Sequence, residues 1–247
     1  MKIFDSHFHI IDPKYPLFEN NGFLPESFTI QDYQDRVNKI NIVGGAIVSG
    51  SFQKFDQEYL VNSLKLLGNN FYGVANIPID ISSKEIKRLN SSNIVAVRIN
   101  LKRGDSTKLK ELIKLSNSLL DKYNWHTELY VDSKNLKQLN STLKNIHKFS
   151  IDHLGLSKEG LSSLYFWVEK GVKVKATGFG RLNFNPLPVL NKIYNINPKA
   201  LMFGTDLPST RAKYPFSFKD IKIIRDNFTV SEQENIFYKN SIEWYNK

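Results

Sequence analysis

The feature that most constrains the fold is a regular alternation of short apolar segments with longer amphipathic ones along the whole chain. Turn residues separate the segments, and the two kinds have the spacing of buried strands and of helices. The predicted strands cover 2–9, 43–50, 71–77, 93–100, 126–132, 148–154, 172–177 and 200–205. The predicted helices cover 29–40, 56–68, 82–91, 106–122, 134–146, 157–170, 187–196 and 217–246. Eight strand–helix pairs predict an α/β fold, the (β/α)8 TIM barrel.

The length of the chain, 247 residues, suits one such barrel. No linker, repeat or low-complexity stretch divides it, so we expect a single domain over residues 1–247. The longest connection, 11–28, is rich in proline and glycine and is the natural candidate for a lid.

Composition excludes several classes of function. The chain has no cysteine, so disulfides and thiol chemistry are excluded. Neither a signal peptide nor an apolar run of ~20 residues is present, so we expect a cytoplasmic protein with no membrane partner. The net charge is +10, but the lysines are scattered and no basic cluster interleaves with aromatics, so nucleic acid is not expected. Small anionic molecules are the expected partners.

Strand parity predicts which side chains face the interior of the barrel, because outward positions must be apolar to pack on the helices. On the first strand, Asp5, His7 and His9 share one face. The residues predicted to face inward on later strands are Arg98, Asn100, His126, Glu128, Tyr130, Ile151, His153, Lys173, Lys175, Thr177, Gly204 and Asp206. Many of these are polar, so the interior is expected to be strongly polar. Active sites of such barrels lie at the carboxyl ends of the strands, where His7, His9, Arg98, Tyr130, His153 and Asp206 fall.

Residues deeper in the predicted barrel have a structural interpretation. Glu128 is expected to form a buried ion pair with Lys173 or Lys175. His126 lies four residues before Tyr130 and is expected to be a satisfied histidine at the bottom of the barrel. His147 falls at a helix–strand junction and is expected at the surface.

The order of these motifs resembles the amidohydrolase superfamily, in particular amidohydrolase family 2. The matching segments are Asp5–His9, Ile151–Gly155, Lys173–Gly178, Phe203–Pro208 and Asn240–Tyr245. Within that family the chain is most similar to lactonases of the 2-pyrone-4,6-dicarboxylate type, which open a cyclic ester carrying two carboxylates. The resemblance implies a metallo-dependent hydrolase-like TIM barrel. It also implies the substrate-binding residues Arg98, Arg103, Tyr130, Arg181, Ser51 and Asn135.

The chemistry expected of the strand ends is water activation. Asp206 can take a proton from water, while His7, His9 and His153 orient that water and stabilise the developing oxyanion. Arg98 faces inward and requires an anion, for which a substrate carboxylate is a good candidate.

A metal is the open alternative at this site. His7, His9, His153 and Asp206 could ligate one divalent ion such as zinc. The superfamily's metal sites usually add a strand-five histidine or a bridging carbamylated lysine, whereas this chain has Tyr130 and Arg98 at the matching positions. We therefore expect no required cofactor.

The sequence thus predicts a hydrolase that opens a carboxylated lactone with water activated by Asp206. A sugar-acid lactonase is the nearest alternative, favoured if Arg103 and Arg181 point away from the pocket. A zinc-dependent decarboxylase of the same family is the second. A non-catalytic anion-binding barrel is the third, and it requires the histidines and Asp206 to be dispersed.

Overall fold

The predicted barrel is confirmed by the computed structural model, which describes residues 1–103 and 107–246. Eight parallel strands form one sheet in sequence order. The strands are β1 (Ile3–Phe8), β2 (Ile42–Val48), β3 (Phe71–Ala75), β4 (Ile94–Asn100), β5 (His126–Tyr130), β6 (Phe149–Ile151), β7 (Lys173–Ala176) and β8 (Leu201–Phe203). No helix in the described part of the chain is long and apolar enough to cross a membrane.

Helices lie between successive strands and after the last one. They are α1 (Ile30–Val37), α2 (Glu58–Leu67), α3 (Ser83–Ser91), α4 (Leu109–Tyr123), α5 (Leu136–Leu143), α6 (Leu161–Glu169), α7 (Pro186–Ile196), α8 (Phe218–Arg225), α9 (Val230–Glu234) and α10 (Asn240–Tyr245). A π-helical turn, Asn235–Lys239, joins the last two. The predicted helix 106–122 starts on a residue outside the described ones, and α4 begins at Leu109.

Side-chain caps set where two of these helices begin. The Thr29 hydroxyl accepts from the Asp32 N–H, and the Asp32 carboxylate accepts from the Thr29 N–H at 2.7 Å. Thr229 and Glu232 form the same reciprocal pair at α9. Each such cap stabilises its helix by about 1 kcal/mol. The cap at Thr229 is also the reason that the predicted helical region 217–246 is divided rather than continuous.

Two apolar layers hold the barrel. The outer layer lies between strands and helices and contains Phe8, Leu129 and Phe203. The second layer fills the lower interior of the barrel, where Trp244 and Tyr245 of α10 close the bottom. It comprises Phe4, Ala46, Val48, Val74, Val95, Ala96, Met202, Trp244 and Tyr245. The lower interior combines this apolar layer with the buried polar residues His126, Glu128 and Lys175, so the expectation of a strongly polar interior is only partly right there.

The first strand departs from strict alternation. Its pairing with β2 shifts register between Ile3 and Phe4 and again between Asp5 and Phe8. Phe4 consequently turns into the barrel and stacks on Tyr245, with ring centroids 5.2 Å apart. Asp5 instead accepts a hydrogen bond from Tyr33 of α1, so the predicted shared face of Asp5 with His7 and His9 is wrong.

The ends of β1 and β8 meet beside the upper interior. The Asp206 N–H donates to the His7 carbonyl at 2.7 Å, and the His9 N–H donates to the Leu207 carbonyl at 2.7 Å. A Cβ on Gly204 would lie 2.7 Å from the His7 nitrogen, so this close approach of the two strands requires glycine. The junction places both histidines of β1 next to Asp206.

Candidate active site

Asp206 lies at the centre of three imidazoles at the carboxyl ends of the strands. Its Oδ1 is 3.9 Å from His7 Nε2, 3.8 Å from His9 Nε2 and 3.9 Å from His153 Nε2. All four side chains are buried. The sequence prediction that these four residues come together agrees with this geometry.

Two of the four residues are aimed by unusual backbone conformations. His153 has φ 50° and Asp206 has φ 60°, both in the left-handed region that few non-glycine residues adopt. Such conformations cost on the order of 1–3 kcal/mol each and cluster at functional sites. Gly178 leaves room for His153, because a Cβ there would lie 2.6 Å from its Nδ1.

His9 has an assignable tautomer. Its Nδ1 lies 2.7 Å from the Val48 carbonyl oxygen, which can only accept, so Nδ1 carries the proton. Burial and the nearby charge of Arg98 lower the pKa of His9 to about 3. The ring is therefore neutral at pH 7, and Nε2 presents a lone pair toward Asp206.

His7 has a different set of neighbours. Its Nδ1 lies 3.4 Å from Lys175 Nζ and 3.5 Å from Asp152 Oδ1. A lysine ammonium can only donate, so we assign Nδ1 as the acceptor and place the ring proton on Nε2. Burial and the charge of Lys175 hold the pKa of His7 well below its usual value. Within the described residues, His7 Nε2 is buried and has no hydrogen-bond partner.

Asp206 is paired with an arginine. Arg181 donates from Nε to Asp206 Oδ2 at 2.6 Å and from Nη2 to Oδ1 at 3.1 Å, which leaves Nη1 outside this pair. Burial raises the pKa of Asp206, and the Arg181 charge opposes that rise. Burial likewise lowers the pKa of His153 far below its usual value, so its ring is neutral.

Asp152 is the site residue that sequence parity missed. Ile151 was predicted to face inward, but it packs in the outer apolar layer, and Asp152 is the residue that turns into the barrel. Arg98 donates from Nη2 to Asp152 Oδ2 at 3.3 Å and from Nη1 to the Ser49 carbonyl at 2.6 Å. The buried anion that Arg98 requires is thus Asp152. The prediction failed because β6 ends at Ile151 and the chain turns before His153.

Above the histidines lies a small polar pocket with a volume of about 30 Å³. Its lining includes the predicted residues Ser51, Arg98, Arg103, Tyr130 and Arg181, together with His9 and His153. It also includes Arg211, which the sequence analysis did not single out. Asn135 is half-buried at the start of α5 and is not among the described residues that line this pocket.

Arg103 and Arg211 bring positive charge to the pocket without an anion of their own. In residues 1–103 and 107–246, neither has a carboxylate within ion-pair distance. The Arg103 guanidinium lies 5.6 Å from the centroid of the Tyr130 ring, and that of Arg211 lies 4.4 Å from the Phe23 ring. Burial lowers the pKa of Arg211, and the positive charge of Arg103 adds to that fall.

The deeper charges form a structural network, as predicted. Glu128 pairs with Lys175 and not with Lys173, which donates to the Lys199 carbonyl at 2.6 Å. His126 Nε2 lies 3.2 Å from Glu128 Oε1 at the bottom of the barrel. His147 is exposed, in agreement with its predicted surface position.

The donor atoms of the site could hold a divalent metal, but the charges around them do not suit one. The ligand atoms of His7, His9 and Asp206 lie within 4.8 Å of one another, as do those of His7, Asp152 and His153. However, both oxygens of Asp206 accept from Arg181. Three carboxylates at and below the histidines, those of Glu128, Asp152 and Asp206, are each paired with a cation, Lys175, Arg98 and Arg181 respectively. A dication would add two uncompensated charges to a buried site.

The fold and the site define a TIM barrel with a histidine–aspartate centre at the carboxyl ends of its strands. Residues 4–247 match the sequence model of the amidohydrolase family, and the chain belongs to that family. It is 24% identical over 140 residues to a 2-pyrone-4,6-dicarboxylate hydrolase of Comamonas testosteroni, covering 55% of this chain and 45% of that enzyme. It is 20% identical over 223 residues to a 4-sulfomuconolactone hydrolase of Rhizobium radiobacter, covering 83% and 75%.

Solved structures have the same fold. A probable 2-pyrone-4,6-dicarboxylic acid hydrolase of Acinetobacter baumannii with bound citric acid has a TM-score of 0.84 and 24% identity over all of both chains. An amidohydrolase of Burkholderia multivorans with bound zinc has a TM-score of 0.74 and 13% identity, covering 99% of both chains. The first curated relative is matched over less than half of its length.

Proposed function

We propose that this protein hydrolyses a small lactone that carries carboxylate groups. The observation that carries the proposal is the single oxygen of Asp206 within 3.9 Å of three neutral imidazoles, beside a pocket lined by four arginines. The names of both curated relatives are those of lactone hydrolases, and citric acid, bound in one related structure, is itself a polycarboxylate.

Asp206 is the proposed general base. A water between Asp206 Oδ1 and the imidazoles gives its proton to the carboxylate as its oxygen attacks the ring carbonyl. The carbonyl becomes a tetrahedral oxyanion, which collapses by breaking the bond to the ring oxygen. That oxygen leaves with the bonding electron pair and takes the proton back from Asp206. The product is an open-chain acid, and the base is restored.

The imidazoles have distinct roles because their tautomers differ. His9 presents a lone pair at Nε2 and orients the water by accepting its second O–H. His7 presents an N–H at Nε2, which has no partner among the described residues and donates to the oxyanion. His153 completes the shell around the same oxygen of Asp206. A preorganised donor of the His7 type is typically worth ~10²–10³-fold in rate.

Arginines account for the selection of an anionic substrate. Arg103 and Arg211 lie at the pocket without a carboxylate partner in the described ranges, and Arg181 has Nη1 outside its pair with Asp206. A guanidinium fork binds a carboxylate in bidentate fashion, so substrate carboxylates would relieve the repulsion among these cations. Arg98 lies below these arginines, and its hydrogen bonds to Asp152 and to the Ser49 carbonyl fix the position of its guanidinium. Tyr130 and Ser51 complete the proposed binding residues.

The proposed reaction is metal-independent. The charge balance of the buried cluster supports this, and so does Tyr130 at the strand-five position. A zinc-dependent decarboxylase is therefore not favoured. A sugar-acid lactonase is also not favoured, because Arg103 and Arg181 line the pocket. A non-catalytic barrel would have the histidines and Asp206 dispersed, and they lie together.

The test is a hydrolysis panel on protein treated with a chelator and checked by elemental analysis. The panel contains 2-pyrone-4,6-dicarboxylate, a neutral 2-pyrone and a sugar-acid lactone. We expect turnover of the dicarboxylate to survive chelation, and Asp206→Asn to lower kcat by ~10²–10⁴-fold with a smaller effect on KM. Activity that tracks stoichiometric zinc would refute metal independence. An Asp206→Asn variant with near-normal kcat would refute the assignment of the base.

A further inference from the structure

The small pocket at the histidines is too small for a whole substrate. Its volume of about 30 Å³ holds two or three waters at most. A second cavity of about 500 Å³ adjoins it and shares Ser51, Arg98, Asn100 and Arg103 with its lining. Cavities of roughly 300–1,000 Å³ are typical of sites that enclose small organic molecules. The reacting group therefore fits at the histidines, whereas most of the substrate has to lie in the larger cavity.

The larger cavity has an apolar floor. Ile77 and Ile99, which are 3% and 2% exposed, form its buried apolar part, and Ser49 is buried beside them. Pro78, Ile79 and Leu112 extend this floor toward solvent. These side chains come from β4, from α4 and from the connection after β3, so three separate elements contribute to one apolar surface.

The rim of the cavity is charged and contains one exposed aromatic ring. Lys54, Asp80 and Lys108 are exposed at the rim, and Lys54 Nζ lies 3.9 Å from the centroid of the Phe18 ring. Phe55, which also lines the cavity, is 56% exposed. The rim carries two lysines against one aspartate, and all three are in contact with water, so their attraction for a second anionic group is weak. The apolar floor and the Phe55 ring favour an apolar group of the substrate in this cavity.

We infer that the substrate is a carboxylated lactone with an apolar arm, of propyl to phenyl size, that lies in this cavity. This inference rests on the proposed lactone hydrolysis and specifies its substrate class. The carboxylate and the ring carbonyl lie among the arginines and histidines, and the arm extends past Arg98 and Asn100 onto Ile77, Ile79 and Leu112. Burial of apolar surface would then add to the binding of the arm.

The experiment compares a 2-pyrone carboxylate with the same compound bearing a propyl or phenyl substituent. In the wild type we expect the substituted lactones to have at least tenfold higher kcat/KM. Ile79→Trp fills the cavity from a half-exposed position and is expected to bring the ratio of substituted to parent kcat/KM close to one. The matched control is Leu66→Trp on α2, where the side chain is 76% exposed and lines no cavity described above, and where the ratio should not change.

Other outcomes separate this inference from the proposed function. The inference of an apolar arm is overturned if the parent lactone is hydrolysed and the substituent does not raise kcat/KM. It is also overturned if Ile79→Trp leaves the ratio of substituted to parent kcat/KM unchanged. In both cases the proposed lactone hydrolysis stands. If no lactone is hydrolysed, calorimetry with 4-phenylbutyrate and butyrate still decides the cavity. The inference is supported if the wild type binds 4-phenylbutyrate more tightly than butyrate and Ile79→Trp removes this difference. Equal binding of the two acids overturns it.

Discussion

Lys175 is a buried side chain whose contact with His7 decides where the imidazole proton lies. Its ammonium pairs with Glu128 and reaches His7 Nδ1 at 3.4 Å. Without this donor, Nδ1 is free to donate to Asp152 Oδ1 at 3.5 Å, and the proton would leave Nε2. Lys175 is in this sense a positioning residue, because it acts on the reaction only through His7.

Replacing Lys175 should therefore lower kcat and leave KM nearly unchanged. We expect Lys175→Met to lower kcat by ~10²-fold, the usual effect of losing one oxyanion donor. The double variant Lys175→Met with Glu128→Gln is the control, since it leaves no unpaired buried carboxylate. Nitrogen NMR of the His7 ring should report the tautomer change. A folded double variant with wild-type kcat and an unchanged His7 spectrum would contradict the assignment.

Arg211 provides the test of the anionic pocket. Because it has no carboxylate partner in the described part of the chain, Arg211→Met should weaken binding of a dicarboxylate lactone by ~1.5–3 kcal/mol and leave a neutral lactone unaffected. The comparison is made on KM for both lactones. Arg225→Met, on the exposed end of α8, is the matched control. Equal losses on the two lactones would mean that Arg211 only supports its loop.

The residues of the site differ in whether a sequence pattern can indicate them. His7, His9 and Asp206 were predictable, because they stand at strand ends within recognisable motifs. Asp152 was not, because β6 has three residues and parity cannot be assigned securely over so short a strand. Arg211 lies in a loop with φ 59°, where no periodic pattern indicates the direction of a side chain.

At the level of elements, the junction of β1 and β8 depends on Asp5. Its carboxylate accepts from the Thr205 N–H at 2.8 Å, the Thr205 hydroxyl at 2.7 Å, the Tyr33 hydroxyl at 3.1 Å and the His7 N–H at 3.3 Å. Burial nevertheless raises the pKa of Asp5 to about 6, since these bonds offset desolvation only in part. The Asp5 carboxylate thus connects β1, β8 and α1, but burial still makes its ionised form less favourable than in water.

That raised pKa gives a pH dependence of stability with a definite sign. The folded state binds the Asp5 proton more tightly than the unfolded state, whose aspartate titrates near 4. Stability from this group is thus greatest below pH about 4 and falls as the pH rises from about 4 through about 6, by up to ~3 kcal/mol. Asp5→Asn removes the titration.

The measurement is the free energy of unfolding of wild type and variant in denaturant between pH about 4 and 7. Groups common to both proteins cancel in the difference, so the wild type should lose stability relative to Asp5→Asn across this window. Asp121→Asn, at an exposed position on α4, controls for the loss of a surface charge. A difference between wild type and Asp5→Asn that stays constant with pH would contradict the linkage.

The elements themselves were largely predictable, and their ends were not. All eight strands and the helices between them follow from the alternation of apolar and amphipathic segments. The register shifts in β1 were not predictable, because they depend on pairing with β2 and on the Phe4–Tyr245 stack, a contact 241 residues apart in sequence. The π-helical turn after α9 buries Ile236 and Phe237, and no local pattern in the sequence indicates it.

For the whole molecule, the relevant property is its net charge of +10. Exposed helical lysines such as Lys84, Lys137 and Lys222 line neither of the two cavities described above, so their effect on a substrate is long-range and screened by salt. Arg98 and Arg181 beside the histidines act at short range on buried carboxylates, where screening is weak. The field of the molecule and the chemistry of the site should thus respond differently to ionic strength.

Salt should therefore raise KM for a dianionic lactone and leave kcat unchanged. Between ionic strengths of about 0.01 and 0.15 M the Debye length falls from ~30 to ~8 Å, and we expect KM to rise by about 3- to 10-fold. A neutral lactone of similar size, measured in parallel, should show no change in either parameter. If kcat for the dianion also changed, the charges that act in catalysis would have to be open to solvent, contrary to the burial of Asp206, Arg98 and Lys175. If KM rose equally for both lactones, the effect would come from salt acting on the protein itself, and steering by the net charge would be excluded.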